Sequence, residues 1–237
     1  MRAITAGILL VVAGHAFGAK EADQEIEKLL ARMREAYSGA KTARVTVKTT
    51  GLRFGKDTIV SDMTYMKERK IYTKISGNSS FPGRSRLFIS DGVKVQVDDL
   101  SGNTQLSDFN LDFIPFPINL EAMSFWDWKR QLSTAPGANM NKSVMKLKKG
   151  VKWNGKDWLV LEETAHEQGV YVDYHIDPKT AFIHRVQVYD LKKKELRTEM
   201  VVSRLEINPR VDAKIFKLKA KGGPTSIRKR IEKKIDF

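Results

Sequence analysis

Over residues 43–98, and again from about 143 to 207, apolar and polar residues alternate one by one, and a period of two admits little besides half-buried β-strands. In the first stretch Val45 and Val47, then Ile59, Met63 and Tyr65, then Ile71 and Ile75, then Leu87 and Ile89, then Val93, Val95 and Val97 alternate with polar neighbours. Turn-forming residues fall between the runs at Gly51, Gly55, Gly77-Asn78, Pro82-Gly83, Asp91-Gly92 and Ser101-Gly102-Asn103. Such short spacing leaves no room for helical crossovers, so neighbouring strands run antiparallel. The second stretch predicts strands over about 143–153, 157–165, 170–176, 182–190 and 195–207, with turns at Asn154-Gly155, Gln168-Gly169 and Asp177-Pro178-Lys179-Thr180.

Two segments break this period. From Glu21 to Tyr37 the apolar residues Ile26, Leu29, Leu30, Met33 and Tyr37 recur at three- and four-residue steps, one stripe of a helix that ends near Gly39. That stripe must lie on something apolar. Between Phe109 and Leu132, Phe113, Ile114, Phe116, Ile118, Leu120, Met123, Phe125, Trp126 and Trp128 crowd around Pro115 and Pro117, which forbid a regular central strand. A short helix over 119–131 is expected there, covering a core or lining a cavity.

The N-terminus reads as an export signal, residues 1–19. Arg2 is its positive end, Ala6-Gly7-Ile8-Leu9-Leu10-Val11-Val12-Ala13 its apolar run and Ala16-Phe17-Gly18 its small-x-small cleavage pattern. The run is far short of the roughly 20 residues that span a bilayer. The chain contains no cysteine, which excludes disulfides, thiolate metal sites and lipidation beside the cleavage point. Residues 20–216 form the expected domain, and 217–237, with Gly222-Gly223-Pro224, a basic tail. Lysine and arginine number 42 against 28 acidic residues, a formal charge of +14. That balance favours anionic partners. An exported chain rarely meets nucleic acid, and Arg44, Lys48, Lys74 and Lys94 occupy the polar phase of strands, so a wet sheet face accounts for much of the charge.

Catalytic motifs are lacking. The spacing from Gly150 to Gly155-Lys156 imitates a phosphate-binding loop, but Asp157 stands where a hydroxyl would hold magnesium and an Asn-Gly turn stands where a helix should open, so it reads as a hairpin. Pairing apolar residues sets Val172 opposite Val186, Ile176 opposite Phe182 and Asp173 opposite Arg185, which places His175 and His184 on opposite faces and disfavours a metal pair. Glu162 and Glu163 are adjacent in a strand and point apart. No cofactor or metal is implied, and an enzyme is not expected.

Three stretches resemble the LolA/LolB type of periplasmic lipoprotein carrier and the wider outer-membrane lipoprotein-sorting family. They are the helix leading into Ala43-Arg44-Val45-Thr46-Val47, the strand, Asp-Gly turn, strand unit from Leu87 to Asp98 with Gln105 beyond, and the closing hairpin Tyr174 to Asp190 followed by Leu205 to Phe216. The likeness runs in order along nearly the whole mature chain, each piece being short and degenerate. It implies an α+β fold, mainly antiparallel: a strongly curved, incomplete β-barrel with an N-terminal helix and a helical, aromatic lid over its concave face. It also implies a monomer that carries the acyl chains of a lipoprotein or lipid from an inner-membrane donor complex to an outer-membrane acceptor. Met63, Tyr65, Ile71, Leu87, Ile89, Val95 and Val97 would line the cavity, with Phe113, Phe116, Leu120, Phe125, Trp126 and Trp128 as the lid. Two departures stand out. Val95 and Val97 replace the family's aromatic pair, and Glu68 occupies the place of its lid-contacting arginine, leaving Arg69 to take that role. A filled core is the plain alternative for these apolar positions. A sensor or adaptor of the same fold, regulating a protein partner, is the alternative function, and an exported enzyme the third.

Overall fold

The computed structural model describes residues 23–51, 58–77, 86–98, 104–108, 143–165 and 169–219. Its centre is a single 11-stranded antiparallel sheet in the order β6-β5-β4-β3-β2-β1-β11-β10-β9-β8-β7. The strands are β1 (Thr42–Gly51), β2 (Ile59–Met66), β3 (Lys70–Gly77), β4 (Arg86–Asp91), β5 (Lys94–Asp98), β6 (Thr104–Asp108), β7 (Ser143–Trp153), β8 (Lys156–Ala165), β9 (Val170–Ile176), β10 (Ile183–Asp190) and β11 (Leu196–Ile207). Each expected meander is present, and β6 adds a strand that the alternation did not mark. The first and last strands of the chain pair with each other, Val45 opposite Leu205 and Val47 opposite Val202, which joins the two meanders. Strands β6 and β7 remain as edges, so the sheet is not closed.

Among the described residues one α-helix, α1, occupies 23–39. Its stripe Ile26, Leu29, Leu30 and Met33 is buried against Leu161 of β8, Ile176 of β9 and Ala181 beyond it. Burying each of these side chains stabilises by about 1.5–3 kcal/mol. Farther along the helix, Tyr37 meets Phe182 edge-on with ring centres 4.8 Å apart, and its hydroxyl accepts a hydrogen bond from the Ile183 N–H at 3.0 Å. Ala40 then hands the chain into β1 within a second cluster that runs across Val45, Val47, Ile59, Met63, Ile71, Ile75, Phe88 and Val95. The helix thus defines an inner face of the sheet.

The other face has its own cover. After β11 a 3-10 turn, Ala213–Phe216, packs against β3 and β4 and buries Phe216. The Lys219 N–H donates to Gln96 Oε1 at 2.6 Å. Gln96 pairs with Ile89, which pairs with Tyr72, so the C-terminal segment lies over the outer face of β3–β5. The expected tail boundary at 217 therefore precedes a backbone contact at Lys219. No helix among the described residues is long and apolar enough to cross a membrane.

Candidate functional site

Strand register decides which expected lining residues share a face. Tyr65 pairs with Ile71, Ile71 with Ser90 and Ser90 with Val95, while Met63 pairs with Thr73, Thr73 with Phe88 and Phe88 with Val97. Met63, Tyr65, Ile71, Val95 and Val97 therefore all stand on the inner face with the helix. Leu87 and Ile89 do not. They pair with Lys74 and Tyr72, on the outer face, and Phe88 takes the inner position. The sequence reading failed at this strand because Leu87-Phe88-Ile89 is apolar in both phases, and Ile89, with no exposed surface, is buried on a side the reading left wet. Its cover is the C-terminal segment. The proposed lid residues Phe113, Phe116, Leu120, Phe125, Trp126 and Trp128 lie outside the described residues, as do the signal and 220–237.

Arg69 sits at the rim of the inner face. It and Glu68 form the β2–β3 turn with φ of 63° and 69°. The Arg69 carbonyl accepts from Ser90 Oγ at 2.8 Å, and that oxygen accepts from the Gly92 N–H at 3.1 Å. The Asp-Gly turn is thus fastened to the turn that carries Arg69. Asp91 holds its own loop by accepting from the Val93 and Lys94 N–H groups.

The inner face is not wholly apolar, and its hydroxyls follow a pattern. Thr49, Ser61, Thr73 and Ser90 are all fully buried. Val47 pairs with Ser61 and Ser61 with Ile75, so Ser61 lies one step diagonally from Thr49 on one side and from Thr73 on the other. Ser90, opposite Ile71, continues the diagonal into β4, and Thr198, opposite Gly51, continues it into β11. One row of hydroxyls thus crosses five strands. Thr49 Oγ1, Ser61 Oγ and Thr73 Oγ1 have no hydrogen-bond partner among the described residues. The sequence carried this signal, since each occupies an apolar-phase position, as in Val45-Val47-Thr49 and Ile71-Thr73-Ile75.

Ionisable groups collect on the outer face of β7–β11. Arg185 Nε donates to Glu199 at 2.7 Å, Gln187 Nε2 donates to the same carboxylate, and His175 Nε2 meets Gln187 Oε1 at 3.1 Å. The Trp153 ring lies tilted against His175 and the Trp158 ring tilted against His184, and the Arg185 guanidinium lies 5.0 Å from the Trp153 ring centre. Both histidines therefore touch the same tryptophan pair, contrary to the opposite faces expected. The register differs from the apolar-to-apolar pairing: Val186 meets Tyr174, Asp173 meets Gln187 and Ile183 meets Ile176, with a bulge at His184. The turn after Asp177 runs one residue longer than assumed, with Ala181 at φ 59° and the Asp177 N–H donating to the Phe182 carbonyl. Burial lowers the pKa of both histidines, against the raising pull of Gln187 on His175 and of Asp177 on His184. Asp173 is raised by burial, which Lys148 partly offsets. Glu162 and Glu163 do point apart: Glu162 bonds Lys148, and Glu163 accepts from the Tyr174 hydroxyl at 3.1 Å. Among the described residues no group of three or more His, Asp or Glu side chains could hold a metal. This arrangement offers an apolar surface with a hydroxyl row on one side and a charged lattice on the other.

No protein-family model matches the sequence, and no curated protein matches it. Solved structures do. An uncharacterised conserved protein of Thermus thermophilus aligns at TM-score 0.54 and 10% identity, covering 83% of this chain and 96% of that one. MucB aligns at TM-score 0.47 and 16% identity, and this chain spans 64% of its length. A LolA-superfamily protein of Nitrosomonas europaea is matched at TM-score 0.35 and 12% identity, over 81% of this chain and 97% of that one. A LolA-superfamily protein, of the group that the sequence resembles, is thus among the solved structures matched, and at 10% identity the likeness to the Thermus thermophilus protein is one of fold.

Proposed function

We propose that this chain is a periplasmic carrier that shelters the acyl chains of a lipoprotein or another lipid on its inner face and passes them from a donor complex at the inner membrane to an acceptor at the outer membrane. One observation carries the reading. The inner face of an open sheet joins Met63, Tyr65, Ile71, Val95 and Val97 to Phe88 and Ile75 in one apolar cluster, interrupted only by the hydroxyls of Ser61, Thr73 and Ser90, that extends well beyond the residues of α1. Hydrocarbon placed there leaves water at about 0.8 kcal/mol per methylene, so two acyl chains suffice for stable binding without any reaction. On this reading Phe113, Phe116, Leu120, Phe125, Trp126 and Trp128 act as the lid, and Arg69 anchors it at the rim. The basic outer surface faces anionic head groups or the partners. Native mass spectrometry of protein purified from the periplasm tests the reading. A bound lipid mass that disappears in Trp126→Asp is the expected result. Protein that carries no lipid but holds a regulatory protein partner would replace the carrier by the sensor of the same fold.

A further inference from the structure

Among the described residues, nothing accepts from or donates to the hydroxyls of the row Thr49, Ser61, Thr73. Buried hydroxyls in folded proteins nearly always find a partner, and an unpaired one is destabilising. Three in one line on one face are hard to attribute to packing, because valine or alanine would fill the same volume without the unpaired group. Each sits where the strand's alternation calls for an apolar side chain, and each is fully buried. By contrast Ser90, next in the line, is satisfied on both sides, by the Arg69 carbonyl and the Gly92 N–H. The unsatisfied stretch therefore has a defined end at the rim. Diagonal neighbours in a sheet stand about 7–8 Å apart, so the three oxygens span roughly 15 Å. Hydroxyls in such a row can donate, and what they lack is acceptors.

From this we propose that Thr49, Ser61 and Thr73 form a polar contact line for the ester carbonyls of a glycerolipid, which makes the inner face selective for ester-linked acyl groups over plain hydrocarbon. The inference rests on the carrier reading above and adds the ligand's chemical class to it. A fatty acid, with one polar end, would leave most of the line unpaired. An acylated glycerol carries two ester carbonyls between its chains and its backbone, and each can accept from one hydroxyl while its hydrocarbon lies on Met63, Ile75 and Phe88. The three hydroxyls are fully buried, and an ester bound along the row supplies the acceptors they lack.

The test compares two probes of equal chain length, dioctanoylglycerol and its dioctyl ether, on the full chain and on a Thr49→Val, Ser61→Ala, Thr73→Val variant. The parent should prefer the ester by about tenfold, as expected for one to two hydrogen bonds gained. The variant should lose that preference through weaker ester binding alone, keep its ether affinity, and melt at the same or a higher temperature when unliganded. Thr73→Ser, which restores a hydroxyl, should keep most of the preference. Should the triple variant misfold by circular dichroism, the single changes Thr49→Val and Thr73→Val serve instead, each lowering the preference part of the way. Equal binding of both probes by the parent, or an undiminished preference in the variants, overturns the contact line and leaves the carrier reading standing. A parent that binds neither probe overturns the carrier reading, and the contact line with it.

Discussion

Phe216 gives the sharpest test of how the outer face is closed. The residue is 2% exposed, at the end of the 3-10 turn Ala213–Phe216, which packs on β3 and β4. The outer face of β4 carries Leu87 and Ile89, which sequence alone assigned to the inner side. Removing the ring in Phe216→Ala forfeits its transfer energy and leaves a cavity, together about 3–5 kcal/mol for a buried phenylalanine. In a domain of about 200 residues each kcal/mol moves the melting temperature by about 2–4 °C, so a drop of about 6–20 °C is expected. Phe216→Leu, which keeps most of the volume, should cost a fraction of that. Thermal unfolding followed by far-ultraviolet circular dichroism measures both, and amide hydrogen exchange should show the loss of protection centred on β4 and β5. If Phe216→Ala melts within about 2 °C of the parent, the segment does not close the outer face, and the burial of Ile89 and Gln96 needs another cause.

Other expectations are as concrete. Gly92 has φ 101°, and a Cβ there would lie 2.3 Å from the Glu68 carbonyl oxygen, so Gly92→Ala should destabilise by about 1–3 kcal/mol and loosen the turn that bears Arg69, measured by urea unfolding. His175 and His184 have depressed pKa values, so the unfolded chain binds protons that the folded chain refuses. Stability should be full above about pH 6.5 and fall as the pH drops below it, and His175→Gln combined with His184→Asn should flatten that slope in unfolding curves taken between pH 5 and pH 7.5. At lower pH a separate loss is expected. The Asp190 carboxyl, held at about 2 by the Lys193 N–H and Arg197, and the lowered Asp177, contribute stability above about pH 4 that disappears as they protonate.

Period-two alternation was enough to place most strands within a residue or two, because half-burial imposes it wherever one face meets water. It failed where both faces are covered. Leu87-Phe88-Ile89 gives no phase, and the cover that makes it two-sided comes from a segment more than a hundred residues later in the chain. The His175/His184 pairing failed for a local reason: matching apolar residues fixes a register only if the turn length is known, and one residue with positive φ at Ala181 together with a bulge at His184 shifted it. The hydroxyl row was legible in phase but invisible as a row, since a diagonal across five strands exists only once their registers are set.

The hydroxyl line of β1–β4 and the charged lattice of the outer face differ in kind as well as in place. Ion pairs such as Lys148 with Glu162 and Arg185 with Glu199 lie on the outer side, whereas the line from Thr49 to Ser90 is built from neutral hydroxyls. A carboxylate or ammonium in that line would require a permanent partner or would lose its charge, and either outcome would commit the face to one state. A hydroxyl costs far less to leave unpaired and can donate to whatever acceptor arrives. On the carrier reading, a face that must both release and recognise its cargo is better served by neutral hydroxyls than by charges, and along this line the sheet places only serine and threonine.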